Sequence, residues 1–330
     1  SISLCGNFDS QHLGFHFKQA ASQLQIPCHY LSILEAQSRI SVFNQVSWRW
    51  DKTYFHQRRF QNFILKSFEK SYSKALIVSG TAPVTVKTLQ SLKSMGVKTV
   101  NFVSDDPWNN KHQSNWFLSA LSEYTLLATP RKSNLEELKQ HTDAKVIYLP
   151  FAYNPKSHFE SPSLSESDYE QFKCDLMFFG GADEDRLPYI RRLIQAGINL
   201  KLYGGYWDRY PDTRPFAMGI VSPDLIRTAV KASKVILNIV RKANRDGHVM
   251  RSFEVPAMGG CMLTEETQEH LEIFGRNTVP FFKDESDIVQ KLKLLLESPS
   301  LRNHYATQAQ KLITLGKNTY ADRLKTMLDL

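Results

Sequence analysis

The sequence runs to 330 residues, of which 42% are hydrophobic, 22% charged and 12% aromatic, proportions that exclude a disordered or collagen-like chain. This length exceeds what one hydrophobic core supports and predicts two domains. A formal net charge of +8 calls for anionic partners, whereas no apolar run is long enough to span a bilayer and no charged-then-apolar leader opens the sequence.

Short β-branched or aromatic runs alternate with amphipathic helical stretches, the pattern of βαβ units around parallel sheets, so the fold class is α/β. In the first half, strands are predicted near Ile2–Cys5, Cys28–Leu31, Ala75–Val78, Thr99–Val103, Tyr124–Ala128 and Val146–Leu149. Thr81-Ala82-Pro83 offers a capping residue and an early proline for the helix that ends near Met95-Gly96. Residues 154–172, with Pro155, Pro162 and a run of serines, break the alternation and read as a linker between domains 1–153 and 173–330. Beyond it, strands Asp175–Phe179 and Leu200–Tyr203 each end in a glycine pair, and Val235–Val240, Cys261–Leu263 and Val279–Phe282 complete a second sheet. Ser222-Pro223-Asp224 opens a helix, and the chain closes in helices over Ser286–Glu297, Leu301–Leu315 and Tyr320–Leu328.

Ligands of open α/β sheets lie beyond the carboxyl ends of the strands, where glycine admits phosphate to the backbone and helix N-termini favour negative charge. Gly180, Gly181, Gly204 and the strand-terminal Tyr203 occupy such ends, and Gly259-Gly260 stands where a helix gives way to a new strand. Any one pair reads equally as a tight turn; their recurrence in one half favours binding. Neither G-x-G-x-x-G nor a P-loop motif is present. Arg251 and Glu254 are spaced to share a helix face, either as a surface ion pair or as buried charges that need a ligand. Asp246 reads as a turn residue before Gly247 or as a further acid of that site, and His248 as a phosphate contact or a structural side chain. Arg186 and the basic run Arg241-Lys242-Ala243-Asn244-Arg245 could stabilise charge on a phosphate without a metal, the run reading also as a solvated loop.

In the first half, Asp105-Asp106-Pro107-Trp108 follows a strand end. Either acid could deprotonate a hydroxyl and Trp108 could stack on a sugar, against the alternative of an Asp-Pro turn. Gly6, Asn7 and His12, in the loop after the first strand, would line the same acceptor side. His12 and His16 are four apart, but no third ligand is in sequence reach and no metal site is expected.

The stretch Asp246-Gly247-His248-Val249-Met250-Arg251-Ser252-Phe253-Glu254, followed at once by Val255–Leu263, resembles the donor-binding segment of GT-B glycosyltransferases. It is similar in particular to the CgeB-like family of spore-maturation type, where an R-x-F-E…G-G run holds the donor. The resemblance is specific from about Cys174 to Arg323. It implies two Rossmann-like domains facing a central cleft, a glycosyltransferase group 1-like C-terminal domain, and a last helix crossing back to the first domain. The implied activity is metal-independent transfer of a hexosyl group from a nucleotide-diphosphate sugar, a UDP-sugar first, to a glycan, lipid-linked, protein or small-molecule acceptor. Glu254 would then meet the ribose, Arg251 the diphosphate and Asp246 the donor sugar, and relatives place an arginine near Arg186. The wider retaining group carries E-x7-E, in which Asp246 replaces the first Glu, and a Gly-Arg followed by Lys, which is absent here. A nucleotide-sugar epimerase of the same fold, or a non-catalytic module binding nucleotide sugars or nucleic acid, remain alternatives.

Cys5, Cys28, Cys174 and Cys261 lie far apart in or beside apolar stretches and read as free thiols, which suits a reducing cytoplasm. The basic residues lack the aromatic-interleaved stripe of a dedicated nucleic-acid binder, so no nucleic-acid partner and no cofactor are expected. A nucleotide-sugar donor, or an acceptor at the anionic inner face of a membrane, accounts for the charge.

Overall fold

The computed structural model describes residues 1–49, 52–110, 113–242, 245 and 247–329. They fall into two compact units, residues 1–150, 243–245 and 320–330 in the first and residues 151–242 and 246–319 in the second. Among the described residues no helix is long and apolar enough to cross a membrane.

The first unit holds six parallel strands, β1 (Ile2–Gly6), β2 (Cys28–Ser32), β3 (Ala75–Ser79), β4 (Lys98–Phe102), β5 (Leu126–Thr129) and β6 (Lys145–Tyr148), in the order β2-β1-β3-β4-β5-β6. Strands β3 and β5 are buried almost throughout, and this two-sided burial is why they read as unbroken apolar runs. Helix Gln57–Ser71 buries Phe60, Ile64 and Phe68, one stripe at helical spacing.

The helix expected to open at Thr81-Ala82-Pro83 opens instead at Val86, with Thr85 as its N-cap. The cap comes from Gln61 of helix Gln57–Ser71. Its Oε1 accepts from Thr85 N at 3.0 Å and from Thr88 Oγ1 at 2.7 Å, and its Nε2 donates to Pro83 O at 2.6 Å. A partner 24 residues upstream leaves no local signal.

Helix Tyr320–Leu328 belongs to the first unit. Tyr320 stacks on His16 with ring centroids 5.0 Å apart and meets Phe17 edge-on at 5.4 Å, and Arg323 Nε donates to Pro150 O at 2.8 Å. Burial pushes the His16 imidazole down to about 4, so it is a neutral core side chain, while His12 is exposed at the N-cap of helix Leu13–Gln23.

The second unit holds β7 (Cys174–Phe179), β8 (Leu200–Tyr203), β9 (Ala217–Gly219), β10 (Ser233–Asn238), β11 (Met262–Glu265) and β12 (Phe281–Phe282), all parallel, in the order β12-β11-β10-β7-β8-β9. This is the doubly wound order whose direction reverses between β7 and β10, the place where open sheets of this kind bind ligands past the carboxyl ends of the strands. The short edge strand β9 gave no apolar run to read. Residues 154–172, expected to link the domains, lie within the second unit and carry helix Glu166–Phe172. One of its serines is a cap: Ser165 Oγ accepts from Asp168 N at 3.0 Å.

Replacing Gln61 by Ala leaves the cap donors of the Val86 helix and the Pro83 carbonyl without their partner. A loss of about 1–3 kcal/mol is expected from urea unfolding, with Gln61→Glu recovering the acceptor half.

Candidate functional site

At the switch point of the second unit, two glycines let the strand ends approach. A Cβ on Gly204 (φ +125°) would lie 2.5 Å from the Gly180 carbonyl oxygen. A Cβ on Gly180 (φ +146°) would press on Arg251 Nη1 at 3.0 Å and on the Phe178 ring at 3.1 Å, so glycine gives that guanidinium room over the end of β7. Trp207 Nε1 fixes the turn by donating to Gly180 O at 2.8 Å, and Arg186 Nη1 donates to Gly181 O at 2.7 Å.

Two arginines, the buried Arg186 and the half-buried Arg251, share Phe178. The Arg186 and Arg251 guanidinium carbons lie 5.3 and 5.0 Å from its ring centroid, contacts worth about 0.5–2 kcal/mol each. Asp183 is the carboxylate among them: its Oδ2 accepts from Arg241 Nε at 2.9 Å and lies 3.2 Å from Arg186 Nη1. Its Oδ1 meanwhile accepts from Arg186 N at 3.0 Å and starts helix Leu187–Gln195. Three guanidiniums thus converge where one carboxylate pairs two of them. Burial and mutual repulsion push Arg186 down to about 9, burial pushes Arg251 to about 10, and the Nε of each is buried without an acceptor. Buried cations short of anions are what a diphosphate would complete.

Arg251 and Glu254 open helix Arg251–Ala257. A buried polar network behind it fixes the helix to the sheet. Asn238 Nδ2, on β10, donates to Ser252 Oγ and to Thr264 Oγ1, both at 3.1 Å. His270 Nδ1 donates to Glu265 O at 2.8 Å, which leaves Nε2 to accept the Ser252 hydroxyl at 2.8 Å. Burial holds His270 down at about 4, so the ring stays neutral. Arg251 and Glu254 are both largely withdrawn from solvent, which rules out a surface ion pair. Burial lifts the Glu254 carboxyl to about 7 against the pull of Arg251. His158 faces it: Nδ1 accepts from Asn154 N at 3.0 Å, so Nε2 carries the hydrogen, 3.7 Å from Glu254 Oε1. Neither Asp183 nor His158 stood out in the sequence. The first is one of three clustered acids, and the second lies in the segment that reads as a linker.

Other expected members stand elsewhere. His248 is fully buried; Nε2 accepts from Phe151 N at 3.0 Å and Nδ1 donates to Glu269 Oε2 at 2.9 Å, so both ring nitrogens are used and no phosphate contact is left. The Tyr203 side chain is buried, and its hydroxyl has no hydrogen-bond partner among the described residues. Gly259 and Gly260 follow the C-terminus of helix Arg251–Ala257, the far end from Arg251 and Glu254. Gly259 (φ +75°) is a left-handed cap, and a Cβ on Gly260 would meet Ile236 Cδ1 at 2.8 Å, so this pair serves packing. Asp246 lies outside the described residues.

In the first unit, β1 ends at Gly6, which is buried with a Cβ position 3.2 Å from Ser79, and Asn7 Oδ1 accepts from Asp9 N at 2.9 Å to hold the loop. The acids after β4 separate in role. Asp106 is buried, its Oδ1 accepts from Trp108 N at 3.0 Å and Asn134 Nδ2 at 2.9 Å, and its Oδ2 pairs with Arg245 Nε at 2.7 Å. So committed, it is a structural hub in place of the expected base. Trp108 packs on the core, with its ring centroid 6.0 Å from that of His141, in place of an open stacking platform. Asp105 is partly exposed and, among the described residues, accepts from the Ser104 hydroxyl at 3.0 Å.

The raised Glu254 pKa makes a pH test. Its folded value of about 7 lies above the ordinary carboxyl value of 4.5, so the folded state holds the proton more tightly. The penalty for ionising it is therefore absent below the unfolded value, grows as pH rises, and is complete above the folded one. Glu254→Gln should match wild type in acid and exceed its stability by about 2 kcal/mol near pH 8 in thermal unfolding.

Residues 186–329 match the family model described as glycosyl transferase-like. No curated protein sequence matches the chain. Among solved structures, the chain is similar to sucrose-phosphate synthase from Thermosynechococcus elongatus, with a TM-score of 0.72 and 8% identity over 99% of this chain and 98% of that one. It is similar also to Anabaena HepE in complex with UDP and glucose, with a TM-score of 0.64 and 10% identity over 100% of both chains. A putative UDP-N-acetylglucosamine 2-epimerase from Listeria monocytogenes has a TM-score of 0.58 and 11% identity over 100% of this chain and 96% of that one. The chain therefore has the GT-B fold of two Rossmann-like α/β units, and residues 186–329 are similar to the glycosyl transferase-like family.

Proposed function

We propose that this protein is a glycosyltransferase that takes its sugar from a nucleoside diphosphate donor, in the manner of the CgeB-like group. One observation carries the reading: the guanidiniums of Arg186 and Arg251 lie over Phe178, the Nε of each buried and without an acceptor among the described residues, past the carboxyl ends of the two strands where the sheet order reverses. The diphosphate lies against these guanidiniums and Arg241. Glu254 accepts from the ribose hydroxyls, and Asp246 lies toward the donor sugar. The likeness to a structure solved with UDP and glucose supports a UDP-sugar.

Transfer separates charge, because the bond from the sugar's anomeric carbon to the diphosphate oxygen breaks as the acceptor oxygen attacks. Positioned guanidiniums stabilise the departing diphosphate in the way a divalent cation would. Asp105 is the acid after β4 left with capacity to receive the acceptor proton. The net charge supports an anionic acceptor, glycan or lipid-linked.

Arg251 then serves binding at a cost to the unliganded fold. Arg251→Met should raise unliganded stability by about 1–2 kcal/mol while weakening UDP binding roughly 10- to 100-fold in calorimetry. Unchanged UDP affinity with an intact fold would remove the assignment. Transfer should survive EDTA; activity that returns only with magnesium or manganese would place the leaving-group charge on a metal instead.

The likeness to a putative epimerase makes epimerisation the second reading. Incubation with UDP-sugars alone separates the two, since an epimerase converts its donor with no acceptor present.

A further inference from the structure

In the first unit, helix Ser41–Arg49 is inverted relative to an ordinary surface helix. It buries none of its residues. Its polar Asn44 faces inward, with Oδ1 accepting from Ser38 N and Nδ2 donating to Ser38 O, each at 2.7 Å. Val42, Phe43 and Val46, spaced to share one face, are turned outward with 58, 43 and 60% of their surface exposed. Ile40 before the helix is 56% exposed, and Phe55 after it, stacked on Phe43 with centroids 5.0 Å apart, is 46% exposed. An apolar face this continuous marks an interaction site.

Charge identifies what it meets. Residues 33–72 carry seven basic against three acidic side chains, a net +4 that is half the +8 of the whole chain. Arg39, Arg49, Arg58 and Arg59 are all exposed around the apolar face. Phe55 also borders a cavity of about 1150 Å³, lined by Arg58, Arg59 and Lys87 with no acidic residue in its wall. A second copy would bring the same positive charge and be repelled, whereas an anionic bilayer offers hydrocarbon beneath a layer of negative head groups. We propose that this face docks on an anionic membrane surface, Val42, Phe43 and Val46 entering the boundary of the acyl chains while the surrounding arginines and the cavity take lipid phosphates. This deepens the transferase reading by placing its acceptor in or beside the bilayer, yet the docking itself is testable without turnover.

Sedimentation of the whole protein with vesicles tests it, using phosphatidylcholine alone and phosphatidylcholine mixed with phosphatidylglycerol. Binding should require phosphatidylglycerol and fall with added salt. Both Val42→Glu/Phe43→Glu and Arg58→Glu/Arg59→Glu change exposed side chains and should keep the fold and the UDP affinity, and each should lower vesicle binding by roughly 10-fold or more. Equal binding to the two vesicle types, no binding to either, or undiminished binding of the two variants would overturn the proposal; so would a dimer that forms without vesicles and disappears in Val42→Glu/Phe43→Glu. Loss of UDP binding by wild type, with vesicle binding kept, would instead strike the transferase reading alone.

Discussion

Everything at the switch point of the second unit follows from placing two guanidiniums on one phenylalanine ring. Phe178 offers the faces, Gly180 leaves the space, and Asp183 supplies a carboxylate that must serve more than one cation. Such an arrangement is stable only because the rest of the unit supports it. The site helix is held from behind by uncharged hydrogen bonds through Asn238, Ser252 and His270, so its N-terminus cannot drift to relieve the repulsion. The Nε of each arginine is left buried without an acceptor among the described residues, a cost that the surrounding packing sustains.

Histidine chemistry in this protein is mostly architectural. His16, His248 and His270 are buried, and for His248 and His270 a backbone partner sets the tautomer. His158 differs, because its Nε2–H faces a carboxyl group that is lifted close to neutrality. Around Glu254 the proton inventory is therefore open near physiological pH, while a few residues away at His248 it is closed.

What the sequence reveals and what it hides divide along physical lines. Parallel strands buried on both faces announce themselves as apolar runs, so nearly every strand of both sheets was legible, and the capping serine before Pro223 marked its helix. The R-x-F-E spacing likewise put Arg251 and Glu254 on one helix. Contacts made across the fold are another matter. Gln61 capping a distant helix, Asp183 bridging to Arg241 and His158 reaching Glu254 all depend on residues brought together only by packing. Glycine pairs mislead for the same reason: Gly180 makes room for a guanidinium, whereas Gly259-Gly260 makes room for Ile236 and a helix cap. An Asp-Pro-Trp run looks chemically rich in one dimension, yet the folded chain spends Asp106 on Arg245 and Asn134.

The last helix completes the first unit, and this constrains the order in which a newly made chain can fold. Tyr320 stacks on His16 and abuts Phe17, so the core built around residues 2–17 lacks a wall until residues 320–328 have been made. Residues 151–242 and 246–319 form their own unit before then. Vectorial synthesis ordinarily lets the N-terminal domain fold first. Here the unit begun first has to wait, with Phe17 uncovered, for helix Tyr320–Leu328, and the unit made in between can close before it.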